Sequence, residues 1–530
     1  MKKKNNLLIA AFGILALTAC GTPTQSGSKG PVKPNLPEMD AEEAAAYIAP
    51  LEVKDGKAVR GNIYLPEELE DGATVTWHSS DKAVVTDVET NGMAAGVVER
   101  DGEDHDVRLT ATVVKDGKYC MFEQDIKVLA TDGGPTEDDY VGYLLVTFTG
   151  EGSANGEQVY MSLADEGKGF NFSPVNGNKA VLESTASEKG VRDPFVYRSP
   201  EGDRFFIIAT DLKINNRKNP DGSNGGWANT SHGYTFPTVN GTHTLILWET
   251  TDLADWGEPK YIPVADGITA EAARLENPEQ YPNGGAGMAW APEMTYNFET
   301  GEYVIFWSSA YIDDLTKKDN DKVKVKGDAV YRATTRDFVH FGTPTLFVDN
   351  QPNKDGSMRN IIDATCRKIG DHYYSITKDG DNPDREGGIL IMRSDDILDV
   401  DAWEKVCDLD ELGLPTSGTG VNSFDNRTLE GPACFPFNKC DWEDENVPEY
   451  CVMGDAYNTG GGYLPFVTTD IEDATNANQS WKIMPKSSGA NDLKGKYSWG
   501  SGGKRHGSVL QLTSDELETI KTADIYGLNK

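Results

Sequence analysis

Beyond residue 140 the hydrophobic positions fall into short apolar strands, each leading into a Ser/Thr-x-Asp turn and then an aromatic residue. The segments are "VYMSLADEGKGFNF", "LILWETTDLADW", "VYRATTRDFVHF", "ILIMRSDDILDVDAW" and "LPFVTTDIEDATNANQSW". Between them lie leading strands that begin near Asp193, Trp290, Ile361, Glu430 and His506. They recur about every 70 to 100 residues, and self-similarity of this kind points to a repeat architecture. Paired strands follow, as in "PFVYRSPEGDRFFIIATDL", "EMTYNFETGEYVIFWSS" and "ATCRKIGDHYYSITKDG". About four short strands repeated radially make a propeller blade, so the pattern predicts an all-β, five-bladed β-propeller over 140–530. The first aromatic-turn unit, 160–172, has no leading strand, and the last leading strand, "HGSVLQL", has no unit after it. Joined, the two ends complete one blade and remove exposed sheet edges. A jelly-roll sandwich is the rival all-β reading, but it does not account for five such units.

Upstream, 38–130 alternates apolar and polar residues in "ATVTWHSS", "VRLTATVV" and "FEQDIKVLA", after one short helical piece, "AEEAAAYIA". Period two broken by "EDG", "KDG" and "NG" turns predicts a small antiparallel β-sandwich, and its strand pair resembles bacterial immunoglobulin-like modules. It carries no ionisable cluster suited to chemistry and reads as a spacer. Trp77 is either core or a glycan contact. The acidic stretch "TDGGPTEDD", 131–139, is a linker, and 21–37, rich in Gly, Ser, Thr and Pro, is a flexible tether. Residues 1–20 combine Lys2, Lys3 and Lys4 with "LLIAAFGILAL" and "LTAC", the build of a secretory signal. Its end resembles a lipobox, which makes Cys20 the lipidated residue and predicts a lipid-anchored protein of the cell envelope.

Composition narrows the partners. Across 530 residues the formal net charge is -35, which repels a phosphate backbone or an anionic membrane surface and excludes nucleic acid as a partner. A neutral substrate fits better, and the lipid anchor is the expected membrane contact. Nothing signals an oligomer, so a monomer is expected. Besides Cys20, the cysteines 120, 366, 407, 434, 440 and 451 are scattered without a CxxC pair, which argues against a zinc site and a dense disulfide scaffold. One bridge among Cys434, Cys440 and Cys451 stays open.

The starts of the leading strands carry the candidate chemistry: Arg192-Asp193-Pro194, Trp290-Ala291-Pro292-Glu293, Ile362-Asp363-Ala364, Glu430-Gly431-Pro432 and Arg505-His506-Gly507. In a propeller such positions converge on one funnel. Asp193, Asp363 and Glu430 are expected at corresponding places of their repeats. The order DP, WAP, IDAT, EGP and a late His resembles glycoside hydrolase family 43, over about 140–530. Cleaving a glycosidic bond, the reaction the resemblance implies, needs two carboxyls in opposite protonation states. The resemblance implies an inverting glycosidase that needs no cofactor. Asp193 would be the general base, Glu430 the general acid, and Asp363 a third carboxylate that orients Glu430 and raises its pKa. An inverting pair stands roughly 6.5–9.5 Å apart to admit a water.

The resemblance further implies an oligo- or polysaccharide substrate, with an α-L-arabinofuranosidase favoured over β-xylosidase, β-galactanase or a non-catalytic glycan-binding lipoprotein. His506 matches a late histidine that holds a central water or a structural calcium, or it is a core residue. Arg192 is a clamp on substrate or half of an ion pair. Trp290 is a sugar platform or core. Glu293, Asp211, Tyr457 and Arg505 complete the candidate sugar contacts, with Trp227, His232 and Tyr234 on a long loop at the rim. WAPE and IDAT depart from the family's usual blade-two and blade-three motifs, and about 50 propeller residues precede Asp193; both loosen any inference about substrate.

Overall fold

The computed structural model describes residues 30–528 except 166–169, 219–225, 228–234, 318–323, 349–359, 381–387, 415–428, 442–448, 457–461, 487–495 and 501–502. The signal, Cys20 and most of the tether lie outside the described residues. Among the described residues no helix is long and apolar enough to cross a membrane.

Residues 39–128 gather around one antiparallel sheet of Thr74–Ser79, His105–Lys115 and Lys118–Val128. Outside it, the expected sandwich is reduced to isolated bridges such as Val59 with Val128 and Val85 with Val98. The helical piece forms as Ala41–Ala45, started by an Asp40 capping box. Trp77 is buried in the core and donates its indole N–H to the Pro66 carbonyl at 2.9 Å, so it is not a glycan platform.

Five further antiparallel sheets follow. The first orders Val191–Arg198, Phe205–Asp211, Thr244–Thr250 and Lys260–Pro263; the second starts from Trp290–Asn297, the third from Ile361–Ile369 and the fourth from Glu430–Pro436. In the fifth, the C-terminal strand Arg505–Thr513 pairs with Tyr140–Phe148, followed by Tyr160–Ala164 and Ser173–Pro174. The two unmatched ends of the repeat pattern therefore share one sheet. The five leading strands touch in a cycle: Val191–Arg198, Trp290–Asn297, Ile361–Ile369, Glu430–Pro436, Arg505–Thr513 and back to the first.

The apolar runs have a simple cause: the inner strands are covered on both faces, so consecutive residues serve different cores. Phe206 and Ile208 pack toward Met294, Ile305 and Trp307 of the second sheet. Their neighbours Phe205 and Ile207 pack toward Leu144 and Val146 of the fifth. The same holds around the cycle, with Phe306 and Tyr373 between sheets two and three, Ile376 and Phe466 between three and four, and Leu145 and Phe435 between four and five. The six cysteines after residue 30 form no disulfide with one another, so no bridge joins Cys434, Cys440 and Cys451.

The N-terminal module expected as a spacer is docked by polar groups. Arg60 and Arg100 both reach Asp203 Oδ2 at 2.7 Å, and Asn62 donates to Tyr296 Oη and the Gly301 carbonyl. The buried Arg336 guanidinium donates to the carbonyls of Ile63, Ala94 and Ala95 on the module and of Thr300 beside it. Charge-assisted bonds of this kind contribute about 1.5–3 kcal/mol each, and their acceptors lose more when left dry. Arg336→Ala should cost about 3 kcal/mol in denaturant unfolding and expose the 131–139 linker to protease. Arg108→Ala, which removes an exposed pair with Asp125, should leave the midpoint where it is.

Candidate active site

Each leading strand is interrupted by a bulge near its start. The register slips between Arg192 and Phe195, Trp290 and Glu293, Ile362 and Thr365, Glu430 and Ala433, and Arg505 and Gly507. A bulge re-aims one side chain out of the ladder. The released residues are Asp193, Ala291, Asp363, Gly431 and His506, the first four with φ between 46° and 52°. Asp tolerates this left-handed geometry. At residue 431 only glycine fits, because a Cβ there would stand 2.4 Å from His506 Cγ. The three carboxylates therefore do not occupy one repeat position: Asp193 and Asp363 sit in the bulge, while Glu430 sits one residue ahead, beside Arg192, Trp290, Ile362 and Arg505.

The second strand of each sheet reaches the next leading strand through the residue opposite that forward position: Thr210, Ser308, Lys378, Asp455 and Phe148. Thr210 donates to Asp193 Oδ2 at 2.9 Å and accepts the Ala291 N–H at 2.6 Å. Ser308 accepts the Asp363 N–H at 2.9 Å, and Asp455 the His506 N–H at 3.2 Å. Lys378 meets Glu430 Oε2 at 3.0 Å, and the Gly431 N–H goes to Asp363 Oδ2 at 3.0 Å instead. The Phe148 ring lies under the guanidinium carbons of Arg192, at 4.5 Å, and Arg505, at 5.4 Å.

The charges at the site interlock. His506 Nδ1 stands 3.4 Å from Asp193 Oδ1. Burial opposes the charge on both, yet the pairing wins. Asp193 is held below the usual carboxylate range by His506, Arg192 and Thr210, and the imidazole is raised to about 9 by Asp193, Asp363 and Glu293. Glu430 presents its second oxygen, Oε1, to Arg505 Nη2 at 3.0 Å, and Arg505 Nε is tied to Asp455 Oδ2 at 2.6 Å. Burial pushes Glu293 far up, with Asp363 adding to it. Only 2% of Glu293 is exposed, so it lies beneath the site and is not a surface sugar contact.

The remaining candidates separate. Arg192 is spent on Glu157 at 2.9 Å and Glu151 at 3.2 Å, the ion-pair reading. Asp211 follows Thr210 but faces the opposite way, as alternation along a strand requires. Its carboxyl accepts from Ser187 and the Glu188 N–H, and burial raises it to about 6; it fixes the turn before the first leading strand. Trp290 meets Trp227 edge-on at 6.0 Å, and Trp227, 38% exposed, also lies over Arg192. Tyr457, His232 and Tyr234 lie outside the described residues. Thr210, Ser308, Lys378 and Asp455 were not singled out from sequence, though each lies in the second half of a second strand, and Thr210, Lys378 and Asp455 are its last residue but one.

Among the described residues no group of three or more His, Cys, Asp and Glu side chains is placed to hold a metal ion.

A sequence profile described as a probable glycosyl hydrolase domain, related to glycoside hydrolase family 43, matches residues 138–518. A profile described as an atrophied bacterial Ig domain matches 39–131. The chain belongs to this glycosyl hydrolase family. It is 30% identical over 501 residues to an alpha-L-arabinofuranosidase of Bifidobacterium longum subsp. longum, a match covering 88% of this chain and 42% of the relative, so the chain spans less than half of that protein's length. Among solved structures, the GH93 alpha-L-arabinofuranosidase of Fusarium graminearum with arabinobiose aligns at 11% identity over 72% of this chain and 87% of its own, with a TM-score of 0.37. An endo-1,4-beta-xylanase of Bacteroides thetaiotaomicron aligns at 13% identity over 67% and 95%, with a TM-score of 0.34.

The His506 pairing makes stability depend on pH. An imidazole that titrates near 6.5 when unfolded and about 9 when folded gives a stabilisation fully present below pH 6.5 and lost as pH rises through 9. Urea unfolding between pH 6 and 9.5 should show wild type losing stability over that window, with a flatter profile for His506→Gln.

Proposed function

We propose that this member of the glycosyl hydrolase family is a glycosidase of inverting mechanism that removes α-L-arabinofuranosyl groups from side chains of plant polysaccharide, acting from the exposed end. The observation that carries the reading is the pair Asp193 and Glu430, on the two leading strands that flank Arg505–Thr513 and held by different partners, one by an imidazolium and a hydroxyl, the other by two cations. The arabinofuranosidase relative supports the choice of sugar. The five sheets are taken as blades of a five-bladed β-propeller. The cycle of leading strands and the sheet shared by the two ends support that reading. The lipobox at Cys20 supports attachment to the cell envelope.

In the proposed reaction Asp193, kept anionic by His506, accepts a proton from a water as the water oxygen bonds to the anomeric carbon. Glu430 gives a proton to the leaving oxygen as the glycosidic bond breaks, and the configuration inverts. Both Glu430 oxygens accept from cations in the free protein, so one contact must open and the freed oxygen take up a proton from solvent before Glu430 can deliver it. Lys378 is the one the leaving oxygen replaces, because Arg505 is itself fixed by Asp455. Asp363 acts on Glu430 through the backbone, accepting the Gly431 N–H and so holding the peptide that follows the acid.

Assay of the purified protein on nitrophenyl α-L-arabinofuranoside, β-D-xyloside and β-D-galactoside, with the product anomer followed by NMR, tests this reading. Arabinofuranoside should be cleaved with inversion, and Asp193→Ala and Glu430→Ala should each lower kcat/KM by about 10³-fold. A wild type inert on these and on arabinan, yet able to bind glycan, would sink the enzymatic reading. Asp455→Asn removes the charge that anchors Arg505; it should lower kcat by about 10²-fold with KM little changed.

A further inference from the structure

The far ends of the leading strands enclose a second cavity, of ≈ 300 Å³, which the proposed chemistry does not use. Every leading strand contributes to it past its bulge: Phe195 and Tyr197, Thr295, Arg367, Cys434 and Val509. Arg367 lies four residues beyond Asp363 on one strand, about 13 Å at the usual rise. The linker lies at its rim through Gly134 and Pro135, packed so tightly on the 199–202 turn that a Cβ on Gly202 would stand 2.7 Å from Gly134 Cα.

Its charge runs against that of the chain. With 85 acidic and 50 basic residues overall, the lining contains no Asp or Glu and three cations, Arg198, Arg367 and Lys368. Arg198 is neutralised by Glu516, with Nη2 to Oε2 at 2.8 Å. The Lys368 ammonium lies over the Phe298 and Tyr373 rings at 5.5 and 5.2 Å. Arg367 has no ion pair or side-chain hydrogen bond among the described residues; the titratable groups around it are Tyr140, Tyr197, Tyr450 and Cys434. The nearby acid Glu201 faces Arg204 at 4.0 Å. A second group is also unspent: the Ser199 hydroxyl lines the cavity, 2% exposed and without a hydrogen-bond partner among the described residues. A guanidinium is a planar fork suited to a carboxylate, and the paired rings of Phe195 and Tyr197, with centroids 6.1 Å apart and planes at 25°, offer apolar faces beside it.

We propose that this cavity is a binding site for a uronic acid, its carboxylate on Arg367, its ring against Tyr197 and Phe195, and a hydroxyl on Ser199. The volume is at the small end of ligand sites, which run about 300–1,000 Å³, and suits a single residue or chain end. The site stands apart from the catalytic reading, since none of its residues belongs to the Asp193–Glu430 cluster.

Calorimetric titration of the full chain with D-galacturonate and D-glucuronate, beside D-galactose and inorganic phosphate, decides it. Uronate should bind wild type and Asp193→Asn alike, galactose should not, Arg367→Gln should weaken uronate by at least about tenfold, and Arg367→Lys should retain part of the affinity. Ser199→Ala, a smaller change in case the arginine variants fail to fold, should weaken it measurably. The proposal is overturned by absence of uronate binding, by binding of phosphate alone, by loss of binding in Asp193→Asn, or by uronate binding unchanged in both Arg367→Gln and Ser199→Ala.

Discussion

The structure depends on the antiparallel pairing of Arg505–Thr513 with Tyr140–Phe148. Every inner strand carries apolar residues on both sides, and a sheet of that kind is stable only when both faces are covered. Four sheets stacked in order would leave two bare faces. The fifth sheet, made from the two ends of the domain, covers both at once: Leu144 and Val146 pack toward the first sheet, and Tyr143 and Leu145 toward the fourth. Hydrophobic burial, which is not directional, thus acquires a direction through alternation along each strand.

The same pairing brings in Arg505 and His506, so the joining of the domain's two ends and the assembly of the candidate site are one event. His506 holds Asp193, on the strand that follows it around the cycle. Arg505 holds Glu430, on the strand that precedes it. The buried Tyr463 hydroxyl, 3.1 Å from the Gly431 carbonyl and 2.8 Å from that of Gly507, ties the two bulges together. Neither proposed catalytic carboxylate is held by its own sheet alone, because each owes a partner to the last strand made.

Much of this was legible from the chain. The repeated turns located the leading strands, and the unmatched unit at 160–172 pointed to the sheet shared by the ends. Position within a strand was less legible. Glu430 and Asp193 look equivalent as the acids before EGP and DP prolines, yet the bulge takes in Asp193 and passes over Glu430 for Gly431, since the slip is set by the neighbouring sheet's hydrogen bonds and not by the residue itself. A one-residue error flips a side chain to the other face, and that is the difference between Asp211, which fixes a turn, and Thr210, which bonds Asp193. The fate of Arg192 was equally hidden: Glu151 and Glu157 lie some 35 to 41 residues away in sequence, and no local pattern announces them.

The distribution of charge adds a last constraint. A net charge of -35 means that carboxylates gathered at one point would repel one another unless each met a cation or gave up its charge. The site uses both solutions. Asp193 has an imidazolium and Glu430 has Lys378 and Arg505, whereas Glu293, buried below them, is pushed by burial toward its neutral form. Farther along the same strands the acids stop and Arg367 stands alone among tyrosines. The leading strands therefore run from a cluster of carboxylates matched by cations to a cavity whose charged lining residues are all cations. On the proposed reading a neutral sugar suits the first end and a carboxylate-bearing one the other, so the two ends of these strands would sort the two classes of sugar by charge.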